Sequence, residues 1–132
     1  MLPLVANRKR LLTDQKLLGR WGEKRSEKFL RKKGLKTLTR NFSCKTGEID
    51  LIMIDSDRTI VFVEVKTRAQ NHLEPPESAV TYGKQQKAIR TARYFLTTNN
   101  IQDRPLRFDV VAIILPQKGP PQINHYKNAF KP

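Results

Sequence analysis

GEIDLIMIDSDRTIVFVEVK, residues 47 to 66, decides the fold: two apolar runs parted by a few polar residues, each carrying charge where a strand of a small domain should hold only aliphatic side chains. A lone ionised group inside such a run is costly to bury, so Asp50, Glu64 and Lys66 need a reason to be there. Parity supplies one. Side chains alternate faces along a strand, so Glu48, Asp50, Ile52 and Ile54 share one face of the first run. Ile60, Phe62, Glu64 and Lys66 share one face of the second, and Val61, Val63 and Val65 take the other. If Ser56, Asp57 and Arg58 form a short hairpin loop, Ile54 opposes Ile60, Ile52 opposes Phe62, and Asp50 opposes Glu64. A register one residue off would set Asp50 against Val63 and bury the two acids apart. The consistent pairing gathers two carboxylates and an ammonium at the open end of one sheet face.

Two carboxylates side by side repel, and a divalent cation is the usual remedy. Oxygen donors of this kind suit Mg²⁺ or Mn²⁺, which keep several waters and bridge to phosphate. Lys66 is placed to lower the pKa of a water on such an ion or to stabilise charge on a phosphate in the transition state. A buried Glu64–Lys66–Asp50 ion cluster with no catalytic task would use the same residues, and the two strands alone do not separate these readings.

Working outward, a helix is expected from about Asp14 to Lys33, with Leu18, Gly22, Ser26, Phe29 and Leu30 on one face and Gly34 as its C-terminal cap. Its small residues Gly19, Gly22 and Ser26 lower helix propensity, which makes sense if this face approaches a sheet closely. Lys24, Lys28 and Arg31 fall on the far side, toward solvent or phosphate, and Glu23 sits at the edge of the packed face. Strands are expected at 35–42, 48–55 and 59–67, a long loop at 67–80, a helix at 82–97, a buried strand at 107–115 and a short edge strand at 123–126. In the second helix Lys84 and Lys87 join Arg68 as candidate phosphate contacts. Trp21 lies opposite the apolar face of its helix, placed to stack on a base or meet another subunit, and His125 decorates the edge strand. Arg107 and Asp109 share a strand face as an ion pair. The order is α-β-β-β-α-β, with one further strand at the end.

Charge points to the partner. The net charge is +14: residues 1 to 40 hold 13 Lys and Arg against 3 acids, residues 41 to 115 hold 10 against 9, and residues 116 to 132 hold 3 against none. A basic excess at the ends around a near-neutral centre suits a protein that grips a polyanion while reserving carboxylates for another task. Residues 1–12 are expected to be a flexible basic arm and residues 13–132 a single domain, long enough to bury a real core. One cysteine, Cys44, excludes an intrachain disulfide and offers no zinc cluster. No apolar run reaches the length of a signal-peptide core or a membrane span, so a cytoplasmic protein is expected.

The ordered set GRWGEK, RNFSCKTGEIDLI, FVEVKTR, a Lys-rich helix and RFDVV resembles the YraN-like family of predicted nucleases, over about residues 19 to 130. More broadly, an Asp on one hairpin strand, then Glu-x-Lys 14 residues later on the next, after a helix containing a Glu, resembles the PD-(D/E)xK superfamily. The likeness to archaeal Holliday-junction resolvases is more distant. Ile49 stands where the superfamily name has proline, a common variation. The resemblance implies a restriction-endonuclease-like α/β fold, a mixed four- to five-stranded sheet flanked by helices. It implies Asp50 and Glu64 as metal ligands with the Val65 backbone carbonyl beside them, Lys66 as the catalytic lysine and Glu23 as a helix-borne carboxylate of the catalytic set that reaches toward the metal or its water. Gln85 would support the site. The implied activity is Mg²⁺-dependent (or Mn²⁺-dependent) hydrolysis of phosphodiesters in nucleic acid, DNA foremost and branched DNA among the candidates. A non-catalytic nucleic-acid-binding protein on the same fold is the alternative, and a homodimer stays open.

Overall fold

The computed structural model describes the backbone of residues 4–70 and 80–132, and the side chains within those ranges from residue 8 onward. Eight elements follow in order: α1 (Leu4–Thr13), α2 (Gln15–Lys32), β1 (Lys36–Cys44), β2 (Gly47–Ile54), β3 (Ile60–Ala69), α3 (Tyr82–Thr98), β4 (Leu106–Leu115) and β5 (Gln122–Phe130). The strands form one sheet in the order β1-β2-β3-β4-β5. Every neighbouring pair is antiparallel except β3 and β4, which run parallel. A parallel pair needs a long crossover, and α3 lies within it.

The strand alternation divides the core in two. Leu51, Met53, Val61, Val63, Val111 and Ile113 pack with Leu30 and Leu35 at the end of α2. Ile52, Ile60, Phe62 and Phe108 pack with Ile89, Ala92 and Phe95 of α3. The helices therefore cover opposite faces of the sheet. A strand buried on both sides reads as a continuous apolar run, which is why IVFV in β3 shows no polar alternation. This is the α/β arrangement expected, a mixed five-stranded sheet flanked by helices with a restriction-endonuclease-like layout.

Local chemistry sets the ends of α2. Asp14 caps it, its Oδ1 accepting from the Lys16 and Leu17 amides at 3.1 and 3.2 Å. At the other end Gly34 takes φ of 101°. Its amide donates to the Arg31 carbonyl at 3.0 Å and that of Leu35 to Leu30 at 3.2 Å. This is the paired closure that a left-handed glycine permits, sealed by the Leu30–Leu35 contact.

Three expectations need correction. Of the segment read as a flexible arm, residues 4–12 belong to helix α1, residues 1–3 lying outside the described residues, and Arg8 on it is buried with its guanidinium donating to the Pro116 carbonyl at 3.0 Å. The edge strand is nine residues long rather than four. Strand β3 continues through Arg68 to Ala69, where a loop was expected, while residues 71–79 of that loop, His72 included, lie outside the described residues.

Helix α2 meets the sheet at Gly22. A Cβ placed there would fall inside the Thr67 side chain, so Gly22→Ala should cost about 1–3 kcal/mol by overpacking, although alanine is the better helix former by about 1 kcal/mol. Urea melts of Gly22→Ala, Thr67→Ala and the double variant should show the double recovering much of the loss; simple additivity would place the strain elsewhere.

Candidate active site

The hairpin of β2 and β3 pairs as expected from its loop inward: Ile54 with Ile60, Met53 with Val61, Ile52 with Phe62, Leu51 with Val63. There the ladder stops. Asp50 and Glu64 would be the next pair in that register, but the strands part and the Asp50 side chain enters the gap, its Oδ2 accepting from the Val65 amide at 2.8 Å. A carboxylate thus replaces a strand in satisfying the β3 backbone.

The alternation of β2 also breaks here. Leu51 belongs to the α2-side core, whereas Ile49, two residues earlier, belongs to the α3-side core. Across on β1, Arg40 pairs with Leu51 and Phe42 with Ile49. Asn41 between them takes φ of 51°, a left-handed conformation that Asn tolerates better than most residues. This left-handed residue on β1 therefore sits opposite Asp50, where β2 changes which face it presents.

Groups from both sides of the sheet meet at this break. Burial chiefly, and then the neighbouring Glu64 and Glu23 carboxylates, push the Asp50 pKa up to about 7, against the partial relief given by the Val65 amide and by Lys66. Glu23, from α2, is also raised, first by burial and then by Glu64 and Glu48, while a hydrogen bond with Asn41 opposes the rise. Lys66 Nζ lies 3.1 Å from Glu64 Oε1, both side chains partly withdrawn from solvent. Asp50, Glu64, Lys66 and Glu23 thus form one electrostatic group, and Val65 joins it through its amide.

Among the described residues no three acidic, histidine or cysteine side chains converge into a ready cage for a metal ion. The donor chemistry nevertheless fits Mg²⁺ or Mn²⁺, which take a few carboxylate or carbonyl oxygens and fill the rest of the shell with water. A half-buried aspartate that holds its proton up to about pH 7 beside a second carboxylate marks a place short of positive charge.

Gln85 is not brought to this group. Its amide nitrogen donates to the Val80 carbonyl at 3.2 Å, and the side chain lines a separate cavity with Val110, Tyr126 and Phe130. The candidate phosphate-binding cations do not form one patch. Lys24, Lys28 and Arg31 line a groove on exposed α2, Lys84 and Lys87 are exposed on α3 across the sheet, and Arg68 lines the cleft beside Lys66.

Trp21 packs against the α2-side core under the Arg25 guanidinium, 5.9 Å from its ring centre, rather than standing free. His125 is likewise no surface decoration. Its side chain is 6% exposed and its Nε2 lies 2.8 Å from Asp109 Oδ2. Lys33 Nζ, which can only donate, lies 3.1 Å from Nδ1, so the proton of a neutral ring sits on Nε2 and points at Asp109. The Arg107–Asp109 pair expected on one strand face is present, within a larger network that takes in Asp55 and the Asn128 amide.

Sequence reasoning missed Asn41 and Glu27. Asn41 carried a signal, an asparagine inside a strand pattern. Glu27, on the second helical turn after Glu23, accepts from Thr37 Oγ1 at 2.6 Å and Arg40 Nε at 2.9 Å, tying α2 to β1. Its pKa is lowered, chiefly by the Arg40 hydrogen bond.

The family model described as "Uncharacterised protein family UPF0102" matches residues 22–113. A UPF0102 protein of Geotalea daltonii is 45% identical over 117 residues, covering 89% of this chain and 91% of the relative. One from Pelobacter propionicus is 41% identical over 119 residues, covering 89% and 85%. One from Caldanaerobacter subterraneus subsp. tengcongensis is 42% identical over 119 residues, covering 89% and 97%.

Proposed function

The chain belongs to the UPF0102 family, and from the group at the β2–β3 break we propose that it is a metal-dependent endonuclease of the PD-(D/E)xK type, hydrolysing phosphodiester bonds of nucleic acid. The observation that carries this reading is the Asp50 carboxylate, held at 2.8 Å by the Val65 amide beside Glu64, with Lys66 3.1 Å from Glu64. In this reading Asp50 and Glu64, with the Val65 carbonyl, hold Mg²⁺ or Mn²⁺. The ion supplies Lewis-acid stabilisation of the charge that gathers on the phosphate. Lys66 adds a fixed positive charge where the transition state becomes more negative. Glu23, with its raised proton affinity, is suited to take a proton from the attacking water. The basic groove of α2 grips the polyanion, and DNA, branched DNA included, is the first substrate to try. A cytoplasmic setting belongs to this reading, and no helix among the described residues is long and apolar enough to cross a membrane.

One observation favours the alternative of a binding module that does not cut: Glu64 and Lys66 already satisfy each other as an ion pair. A cleavage panel of single-stranded, duplex and branched substrates, with and without Mg²⁺ or Mn²⁺, separates the two. The nuclease reading expects cutting that a chelator stops, and Lys66→Ala should slow turnover by about 10²-fold while Mn²⁺ binding, followed by calorimetry, survives. Nucleic acid bound but never cut with either metal would leave the binding module standing. Under both readings affinity should fall steeply with salt.

A further inference from the structure

The site opens into a cleft. A cavity of about 570 Å³ lies between α1, the first half of α2 and the outer end of β3, and Glu23 and Lys66 belong both to it and to the carboxylate group. We propose that this cleft holds an unpaired nucleotide next to the bond that is cut, so that the substrate is a nucleic acid with a single-stranded stretch at that point. The proposal rests on the nuclease reading for the cut, though not for the binding.

Size argues first. The volume lies within the roughly 300–1,000 Å³ of sites that enclose small ligands, and were it a sphere it would be about 10 Å across, the scale of one nucleotide and too small for base-paired strands. A single nucleotide enters; a double helix does not.

The lining has the matching chemistry. Leu11, Leu12 and Leu18 offer apolar surface to the faces of a base, and the Gln15 amide carries both donors and an acceptor for its edge. Lys66 and Arg68 bring positive charge from β3. Cations for the backbone beside apolar surface for the bases is the general plan of single-strand sites, here with aliphatic walls.

The cleft is also a built feature. Helix α1, which forms its wall, is fastened by buried Arg8 to the Pro116 carbonyl at the end of β4. Gly19, in the middle of α2, lines the cavity, and a Cβ there would meet nothing within 4 Å. Unlike Gly22, it has no packing reason to be glycine, yet it costs the helix about 1 kcal/mol relative to alanine. Its absent side chain leaves space in the cleft.

Gly19→Phe tests this, because its Cβ enters open space on the cleft wall and phenylalanine is a better helix former than glycine. Fluorescence anisotropy in an Asp50→Asn background, without divalent cation, would compare short labelled single-stranded DNA and RNA, the matching duplex, and a duplex with a single-stranded flap. The parent should bind the strand and the flap about tenfold or more tighter than the duplex, and Gly19→Phe should lose about tenfold on both with the duplex unchanged. The DNA and RNA arms decide which sugar the cleft takes. Unaltered binding of the single strand by Gly19→Phe overturns the proposal, as does a parent that prefers the duplex. If circular dichroism shows Gly19→Phe misfolded, Gly19→Leu replaces it, with a loss of about threefold expected and no loss overturning the proposal. The wild-type chain, with Asp50 intact, incubated with Mn²⁺ and the same substrates tests the cut separately: if nothing is cut while the binding pattern holds, the nuclease reading fails and the cleft stands.

Discussion

Asp50→Asn should abolish metal-dependent cleavage and at the same time make the folded chain more stable. Asparagine keeps an oxygen that accepts the 2.8 Å bond from the Val65 amide but carries no charge. The wild-type carboxyl is raised from its ordinary 3.8 to about 7, chiefly by burial and by Glu64. A carboxyl raised in the folded state destabilises it once ionised. From this group, stability is unimpaired below about pH 4, falls as the pH rises toward 7, and is flat above that. At 1.36 kcal/mol per pH unit the gain in Asp50→Asn at pH 8 should be about 2–4 kcal/mol. Urea melts at pH 5 and pH 8 check it: the wild type should lose stability between the two and the variant should lose much less. A wild type with no such slope would remove the strain invoked here. Because proton and cation compete for the carboxylate, Mn²⁺ affinity of the wild type should rise through pH 6 to 7 and then level. Titration calorimetry should find little binding in Asp50→Asn, and its cleavage should fall by about 10³-fold or more.

Asp109→Ala should be the most damaging substitution for the fold. Asp109 is fully buried, and its carboxylate accepts from Arg107 Nε at 3.1 and 3.2 Å, from His125 Nε2 at 2.8 Å and from the Asn128 amide at 2.9 Å. Burial alone would raise its pKa, but His125, the Asn128 amide and Arg107 together outweigh it and hold the group below the ordinary carboxylate range. Its contribution to stability is therefore present above the ordinary aspartate pKa and lost as the pH falls through the lower folded value. Removing the carboxylate leaves a buried guanidinium with only Asp55 and leaves His125 and the Asn128 amide without their acceptor. Breaking a buried charge pair in this way costs about 3–5 kcal/mol, a large share of the 5–15 kcal/mol typical of a whole domain. The loss should appear as a lower urea midpoint and as faster amide exchange along β5, which this network joins to β4. A change below about 1 kcal/mol would mean that the backbone ladder and the aromatic stack of Phe108 and Phe130, 4.9 Å apart, hold β5 without this network.

The sequence by itself determined the element order from α2 onward, the loop-side register of the β2–β3 hairpin and the candidate charges. Each of these follows from local rules: a period of two along IVFV and LIMI, a period of 3.6 along α2, and turn residues between. The same rules placed Gly34 at the end of α2 and Gly22 on its packed face. They did not reach Asp50, because parity assumes an unbroken strand, and β2 changes face between Ile49 and Leu51 while the ladder ends at Leu51 and Val63. Beside that break, in the neighbouring strand, stands a left-handed residue, Asn41, which no periodicity announces. Only the tertiary structure decided that Glu23 from the α2 side shares an electrostatic environment with Asp50 and Glu64, and that Gln85 does not take part. It alone made the basic N-terminal segment the wall of a cleft, since the buried bond from Arg8 to Pro116 spans 108 positions in the chain. It alone turned His125 from an edge residue into a partner of Asp109. Side chains that meet across such separations leave no period in the sequence, because what brings them together is the packing of elements and not the repeat within one.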